Sequence, residues 1–296
     1  MEVKKIIPRG YCFGVINAIN AVLEANSSDI PKPINIYGML IHNKQVVDAL
    51  TELGINTIYN PTISDFDNIK GTVVFTAHGI QNEIIIEAKK RALHVIDATC
   101  RDVLKTKDII DDHLSKGYQV IYIGKKNHPE SIGATGHKDV HLIEDLKDLK
   151  LVDLNKKSIL TNQTTVSLID IENIYDYIKS NYPHIKIIDE VCNVTRRRQL
   201  AVIANADAEL LYVVGDKKSN NSKNLVNLHT NGKLIETITD IDTTSLGNVK
   251  SIAVTAGAST PKAVVNEIIH YLEHFNTNTE LPKVSHLSNE DILNRK

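Results

Sequence analysis

The sequence predicts an α/β protein made of three similar units, each with a mostly parallel sheet. Three observations carry this. The chain's three cysteines, Cys12, Cys100 and Cys192, stand 88 and 92 residues apart. Their lead-ins match: HVIDATC ends at Cys100, KIIDEVC at Cys192, and KKIIPRGYC at Cys12 has two isoleucines in a similar place. After each cysteine the same order of patterns returns, and self-similarity at a fixed period is the mark of repeated supersecondary units.

The elements follow in order. Each lead-in is a short β-branched run, the pattern of a buried strand. Helical spacing follows it: Val15, Ile19, Val22 and Leu23 after Cys12; Val103, Leu104, Ile109, Ile110 and Leu114 after Cys100; Leu200, Val202, Ile203 and Ala206 after Cys192. A second strand ends in Gly38 (NIYG), Gly124 (VIYIG) and Gly215 (LYVVG), and four residues beyond stand His42, His128 and Ser219. A third strand closes each unit with a polar tip, in VVFTAHG, SILTNQTT and SIAVTAGAS. Strands alternating with helices imply parallel sheets, whose ligands gather at the carboxyl ends of the strands. The expected units are 13–100, 101–191 and 192–275, with residues 1–12 packing at the centre and 276–296 forming a polar C-terminal tail. Arranged around a pseudo-threefold axis, they would direct their polar strand ends into one central cavity, with the cysteines as its inner ring.

Composition narrows the class. The 296 residues carry 34 Lys+Arg against 36 Asp+Glu, a net charge of −2, which argues against a general nucleic-acid binder. No apolar run approaches the roughly 18 residues of a membrane helix, and the first residues, MEVKKIIPRGYCFG, lack the apolar segment of a signal peptide. The expectation is a cytoplasmic protein that uses neither a membrane nor a nucleic acid. Three cysteines in such a chain point to metal or thiol chemistry rather than to a disulfide framework.

A single cysteine is as readily a small buried hydrophobe as a reactive group. Three at equivalent repeat positions, each just before a helix that favours the thiolate, form a soft ligand set for zinc or for an iron–sulfur cluster. Three ligands leave one metal position open, as chemistry requires. His42, His78 and His128 add imidazoles; Ser219, Asn221 and Ser259 add neutral donors suited to a phosphate or diphosphate. Glu130, two residues from His128, is a candidate proton donor. Taken singly, Ser219 to Ser222 reads as a turn or cap, His42-Asn43 as a helix start, His78 as a turn histidine and Thr164-Thr165 as capping hydroxyls; their shared register favours a site.

PRGYCFGV, IHNKQVVDAL, TAHGI, DATC, NHPESIGATG, NQTT, the C-x-x-T at Cys192–Thr195 with its following RQ, SNNS and TAGAS occur in this order between residue 8 and about 261. In these pieces the chain resembles the 4-hydroxy-3-methylbut-2-enyl diphosphate reductase (LytB) family. The resemblance implies a trefoil of three α/β domains. It also implies one oxygen-sensitive 4Fe-4S cluster, held by Cys12, Cys100 and Cys192 with its fourth iron open. It implies a diphosphate pocket of His42, His78, Ser219, Asn221 and Ser259 lined also by His128, with Glu130 delivering a proton and Thr164 bonding near the substrate hydroxyl. The implied reaction is the two-electron reductive dehydroxylation of an allylic diphosphate to isopentenyl and dimethylallyl diphosphates, the last step of the non-mevalonate isoprenoid pathway, with reduced ferredoxin or flavodoxin as donor. Three positions depart from the family pattern: Asn220 in place of a second Ser, Arg101 in place of Pro, and the basic run Arg196-Arg197-Arg198, which reads either as a solvated helix face or as a docking patch for an acidic donor. Two other readings compete, a zinc hydrolase with Glu130 as general base and a cluster-bearing sensor that is not an enzyme.

Overall fold

A computed structural model describes residues 1–276 and 280–295. Its strands are β1 (Glu2–Lys5), β2 (Ile34–Tyr37), β3 (Asn56–Ile58), β4 (Thr72–Phe75), β5 (His94–Asp97), β6 (Gln119–Ile123), β7 (Val140–Ile143), β8 (Ser158–Asn162), β9 (Lys186–Ile187), β10 (Leu210–Val214), β11 (Gly232–Ile235) and β12 (Ser251–Ala256). The helices are α1 (Phe13–Ser27), α2 (Lys44–Glu52), α3 (Asn82–Lys90), α4 (Arg101–Ser115), α5 (Pro129–Ala134), α6 (Leu168–Asn181), α7 (Asn193–Ile203), α8 (Asn220–Val226), α9 (Thr243–Leu246), α10 (Lys262–Glu273) and α11 (Asn289–Leu293).

The strands form three four-stranded sheets of one topology, β3-β2-β4-β5, β7-β6-β8-β9 and β11-β10-β12-β1. Every pairing is parallel. The two inner strands of each sheet are buried residue after residue, apart from Ser251 at the start of β12, as expected where helices cover both faces. Each lead-in strand closes the sheet of the repeat before it. The N-terminal β1 is therefore the fourth strand of the third sheet, where Glu2 pairs with Ser251 and Lys5 with Val254.

The repeat extends to single hydrogen bonds. The glycines that follow β2, β6 and β10 each donate an N–H to the neighbouring edge strand: Gly38 to Ile58 O at 3.0 Å, Gly124 to Ile143 O at 3.0 Å and Gly215 to Ile235 O at 2.9 Å. Glycine is required for space at two of these. A Cβ on Gly124 would lie 2.5 Å from the Ser131 hydroxyl, and one on Gly215 would lie 2.3 Å from that of Ser222. Each serine stands seven residues beyond its glycine, on the short helix that the glycine lets approach the sheet.

The chain divides into two compact units: residues 1–16, 41–53 and 193–296, which hold the third sheet, and residues 17–40 and 54–192, which hold the other two. In the first of these, the segment expected to be a polar tail carries α11. Ser288 caps it with a reciprocal bond from Asp291, Ile292 and Leu293 are buried, and Ile292 O accepts the Tyr11 hydroxyl at 2.6 Å. Two apolar side chains and a cap outweigh the polar character of the rest. Residues 277–279 and 296 of that segment lie outside the described residues. Among the described residues no helix is long and apolar enough to cross a membrane.

Candidate active site

In the unit containing the first two sheets, Cys100 and Cys192 are half-buried thiols at strand ends, neither of them in a disulfide. The Cys100 N–H donates to Ala77 O at 3.0 Å and the Cys192 N–H to Thr164 O at 3.1 Å, each acceptor lying just beyond a central strand. Cys100 caps α4, and Cys192 directly precedes α7. Gly79, at φ +80°, makes the turn after His78; a Cβ there would meet Val103 at 3.0 Å. The His78 ring meets the His128 ring edge-on, 5.6 Å between centroids.

His128 caps α5, and its Nδ1 accepts the Glu130 N–H at 3.2 Å. Accepting at Nδ1 leaves the neutral ring's proton on Nε2, so the far side of the ring is a donor. Glu130 itself is only 4% exposed. Its Oε1 accepts the Thr164 N–H at 2.7 Å and its Oε2 the Thr164 hydroxyl at 3.0 Å. Burial disfavours the charged form more than these two bonds favour it, and the charge of Asp102 adds to the burial effect. The Glu130 carboxyl is pushed up to about 7. A carboxyl half-protonated at neutral pH can give up a proton and regain it.

Two buried amides escaped the sequence reading although NQTT contains them. Gln163 accepts the Lys125 N–H at 2.9 Å and the Ser131 hydroxyl at 3.3 Å through Oε1, holding the loop that leads to His128. Asn162 accepts the Glu190 N–H at 3.0 Å and the Tyr175 hydroxyl at 2.8 Å, tying the approach to Cys192. Their positions beside a polar strand tip were the available signal.

In the other unit, Cys12 is also a half-buried thiol outside any disulfide, and its N–H donates to Ala258 O at 2.9 Å, the counterpart of the bonds at Cys100 and Cys192. The Ser259 hydroxyl donates to His42 O at 2.9 Å. Asp216 holds the same loop by accepting the Lys44 N–H at 2.9 Å. Burial lowers the His42 pKa, Lys218 and Lys223 lower it further, and Asp216 opposes them in part, so His42 is neutral near pH 7. Ser219 caps α8, accepting the Ser222 N–H at 3.3 Å. Asn221 is 6% exposed, and among the described residues neither its amide nitrogen nor its amide oxygen meets a hydrogen-bond partner. A buried amide left unpaired costs about 1–3 kcal/mol, which a polar group brought from outside would offset.

The departures sort by place. Arg101 is exposed, and Asn220 is half-buried beside Asn221. In the basic run Arg197 is exposed and Arg196 half-buried, but Arg198 is 1% exposed. Both readings of the run, solvated face and docking patch, lose Arg198, because its guanidinium satisfies backbone carbonyls in the interior.

These sheets and groups define an α/β protein with thiols, a buried carboxyl and neutral polar side chains at the carboxyl ends of its strands. The model of the family described as LytB protein matches residues 3–273, and the chain belongs to that family. A relative from Anoxybacillus flavithermus, named 4-hydroxy-3-methylbut-2-enyl diphosphate reductase, is 45% identical over 293 residues, covering 94% of this chain and 92% of that protein. One of the same name from Bacillus cereus is 44% identical over 291 residues, covering 93% of this chain and 91% of that protein. Among solved structures, the Plasmodium falciparum E-1-hydroxy-2-methyl-but-2-enyl-4-diphosphate reductase superposes with a TM-score of 0.87 at 32% identity over 96% of this chain and 95% of that one. A second, described as (E)-4-hydroxy-3-methyl-but-2-enyl diphosphate reductase, the terminal enzyme of the non-mevalonate pathway, gives 0.65 at 28% identity, covering 93% of this chain and 100% of that one.

Proposed function

We propose that this protein is an oxidoreductase of isoprenoid precursor synthesis. It reduces (E)-4-hydroxy-3-methylbut-2-enyl diphosphate, with two electrons and two protons, to isopentenyl or dimethylallyl diphosphate and water. The observation that carries the reading is Glu130, a carboxyl that burial pushes up to about 7 and that Thr164 holds in place, with the Cys192 N–H resting on the Thr164 carbonyl. Relatives that share nearly the whole chain and bear the reductase name support it.

The residues fit an iron–sulfur cluster. All three cysteines are reduced and half-buried, and each is held at a strand end by the same backbone bond. Cys12, Cys100 and Cys192 would hold one 4Fe-4S cluster. Such a cluster supplies single electrons and, with only three protein ligands, an open Lewis-acidic iron. His42, His78, Ser219, Asn221 and Ser259 would bind the diphosphate, with His128 lining the pocket. Neutral His42, the Asn221 amide and the serine hydroxyls donate without a counter-charge of their own. Thr164 sets the Glu130 carboxyl in place, and Glu130 gives a proton to the departing hydroxyl.

The deciding experiment is turnover of the allylic diphosphate by anaerobically prepared protein with a reduced donor, alongside iron and sulfide analysis. Zinc without iron, or iron without turnover, would overturn the reading.

A pH dependence follows from Glu130. The acid form is the one that acts, so kcat should fall as pH rises through about 7. Thr164→Val removes a hydroxyl that favours the carboxylate. A hydrogen bond to a charged group is worth about 1.5–3 kcal/mol, roughly one to two pKa units, so the descending limb should move to higher pH by about that much. A limb that stays in place would detach the profile from Glu130.

The reduced donor is proposed to be ferredoxin or flavodoxin, small proteins of acidic character, with Arg196 and Arg197 steering its approach. Arg196→Glu with Arg197→Glu should slow turnover with the protein donor several-fold at low salt and leave a small chemical reductant unaffected. Equal effects on both donors would make the pair a solvated face.

A further inference from the structure

Two residues before each cysteine, the chain is joined to its central strand in three different ways. In the first sheet the bond is backbone to backbone, Ala98 N–H to Phe75 O at 3.1 Å. In the second sheet the Glu190 N–H donates to the side-chain oxygen of Asn162 at 3.0 Å. The corresponding residues of the third sheet are Gly10 and Ala256, and there both carbonyls accept from one guanidinium. Arg198 Nη2 donates to Gly10 O at 2.6 Å, and Nη1 donates to Ala256 O at 2.7 Å and to Pro8 O at 3.0 Å.

The chemistry of this rung is specific. Two carbonyls cannot bond to each other, so only a group with several donors can join them. A planar fork of five N–H donors can, with two of its nitrogens aimed at different oxygens, whereas an ammonium is a compact point charge without that fixed fork. Arg198 lies on α7, which follows Cys192 directly, and its carbonyl partners flank the loop that presents Cys12. The other two sheets make the same connection with neutral groups. The third sheet makes it with a positive charge, buried at 1% exposure and bonded to Gly10, two residues before Cys12.

We propose that Arg198 is a positioning residue for Cys12: its guanidinium replaces the missing rung of the third sheet and sets a fixed positive charge under the Cys12 loop, which favours the reduced form of the bound cluster. This rests on the reading of Cys12 as a cluster ligand. Reduction adds negative charge, and a nearby cation in a medium less polar than water stabilises that charge. The rung and the charge separate experimentally, because lysine keeps the charge but not the fork, and methionine keeps neither.

The test uses anaerobically prepared holoenzyme of the wild type, Arg198→Lys and Arg198→Met. Two quantities are measured, the rate of iron release to a ferrous chelator and the midpoint potential from a dye-mediated titration. The Met variant should release iron about tenfold faster. Its equilibrium constant for cluster reduction should fall about tenfold, a shift of about 59 mV to more negative potential for a one-electron couple. The Lys variant should also release iron faster but keep a potential near that of the wild type. A Met variant with wild-type potential overturns the charge, and wild-type release rates in both variants overturn the rung. If Arg198→Met does not fold, the Lys variant decides: fast release at unchanged potential supports the proposal, and a wild-type release rate rejects it. Wild-type protein that binds no iron under these conditions refutes the cluster reading itself, and the inference with it.

Discussion

Glu130→Gln should lower kcat by at least 10²-fold, up to about 10⁴-fold, while the protein still folds, still holds its iron and still binds substrate. General acid catalysis is worth that range, and the amide keeps the size and shape of the carboxyl while removing its titrating proton. The effect should fall on kcat rather than on affinity, because the proposed diphosphate ligands His42, His78, Ser219, Asn221 and Ser259 are untouched. Stability supplies a control. The folded-state pKa of Glu130 lies at about 7, above the ordinary value of 4.5 for an unfolded chain. The favourable contribution of its protonated form is complete below about pH 4.5 and is lost as pH rises through 7. Glutamine has no charged form, so at pH 8 the variant should melt no lower than the wild type. Near-normal turnover would remove Glu130 from the mechanism. Lost substrate binding would make it a binding group, with His128 and Thr164 the next candidates for the proton path.

Replacing any one of Cys12, Cys100 or Cys192 by Ser should abolish turnover and strip most of the iron. The three thiols are equivalent in the repeat, and each is fixed by a bond from its own N–H to the end of a central strand. An alkoxide is a far poorer partner for iron than a thiolate, and two remaining thiolates leave a cluster open at two irons. The absorbance near 400 nm and the iron content of anaerobically purified variants measure this directly. A variant with full iron and more than a few per cent of normal turnover would show that its cysteine is not a ligand, and would return that position to the role of a small buried side chain.

The sequence by itself determined the three-fold repetition and the places where its polar groups collect. Lead-in strands, glycines and polar tips recur at one period, and strands buried on both faces read as unbroken apolar runs whatever lies against them. Cys12, Cys100 and Cys192 were legible for that reason, as were the proposed ligands one loop beyond each strand. Only the tertiary structure decided the partners. β1 completes a sheet whose other strands begin more than 200 residues later, a parallel pairing that no local pattern encodes. The pKa of Glu130 depends on burial and on two bonds from Thr164, 34 residues away. Local composition made Arg196, Arg197 and Arg198 alike, yet helix geometry turned the third inward, toward carbonyls of Pro8, Gly10 and Ala256 that have no other reason to meet it. Periodicity reports which residues leave water. The bonds they form once inside depend on which distant backbone groups arrive with them, and packing alone specifies that.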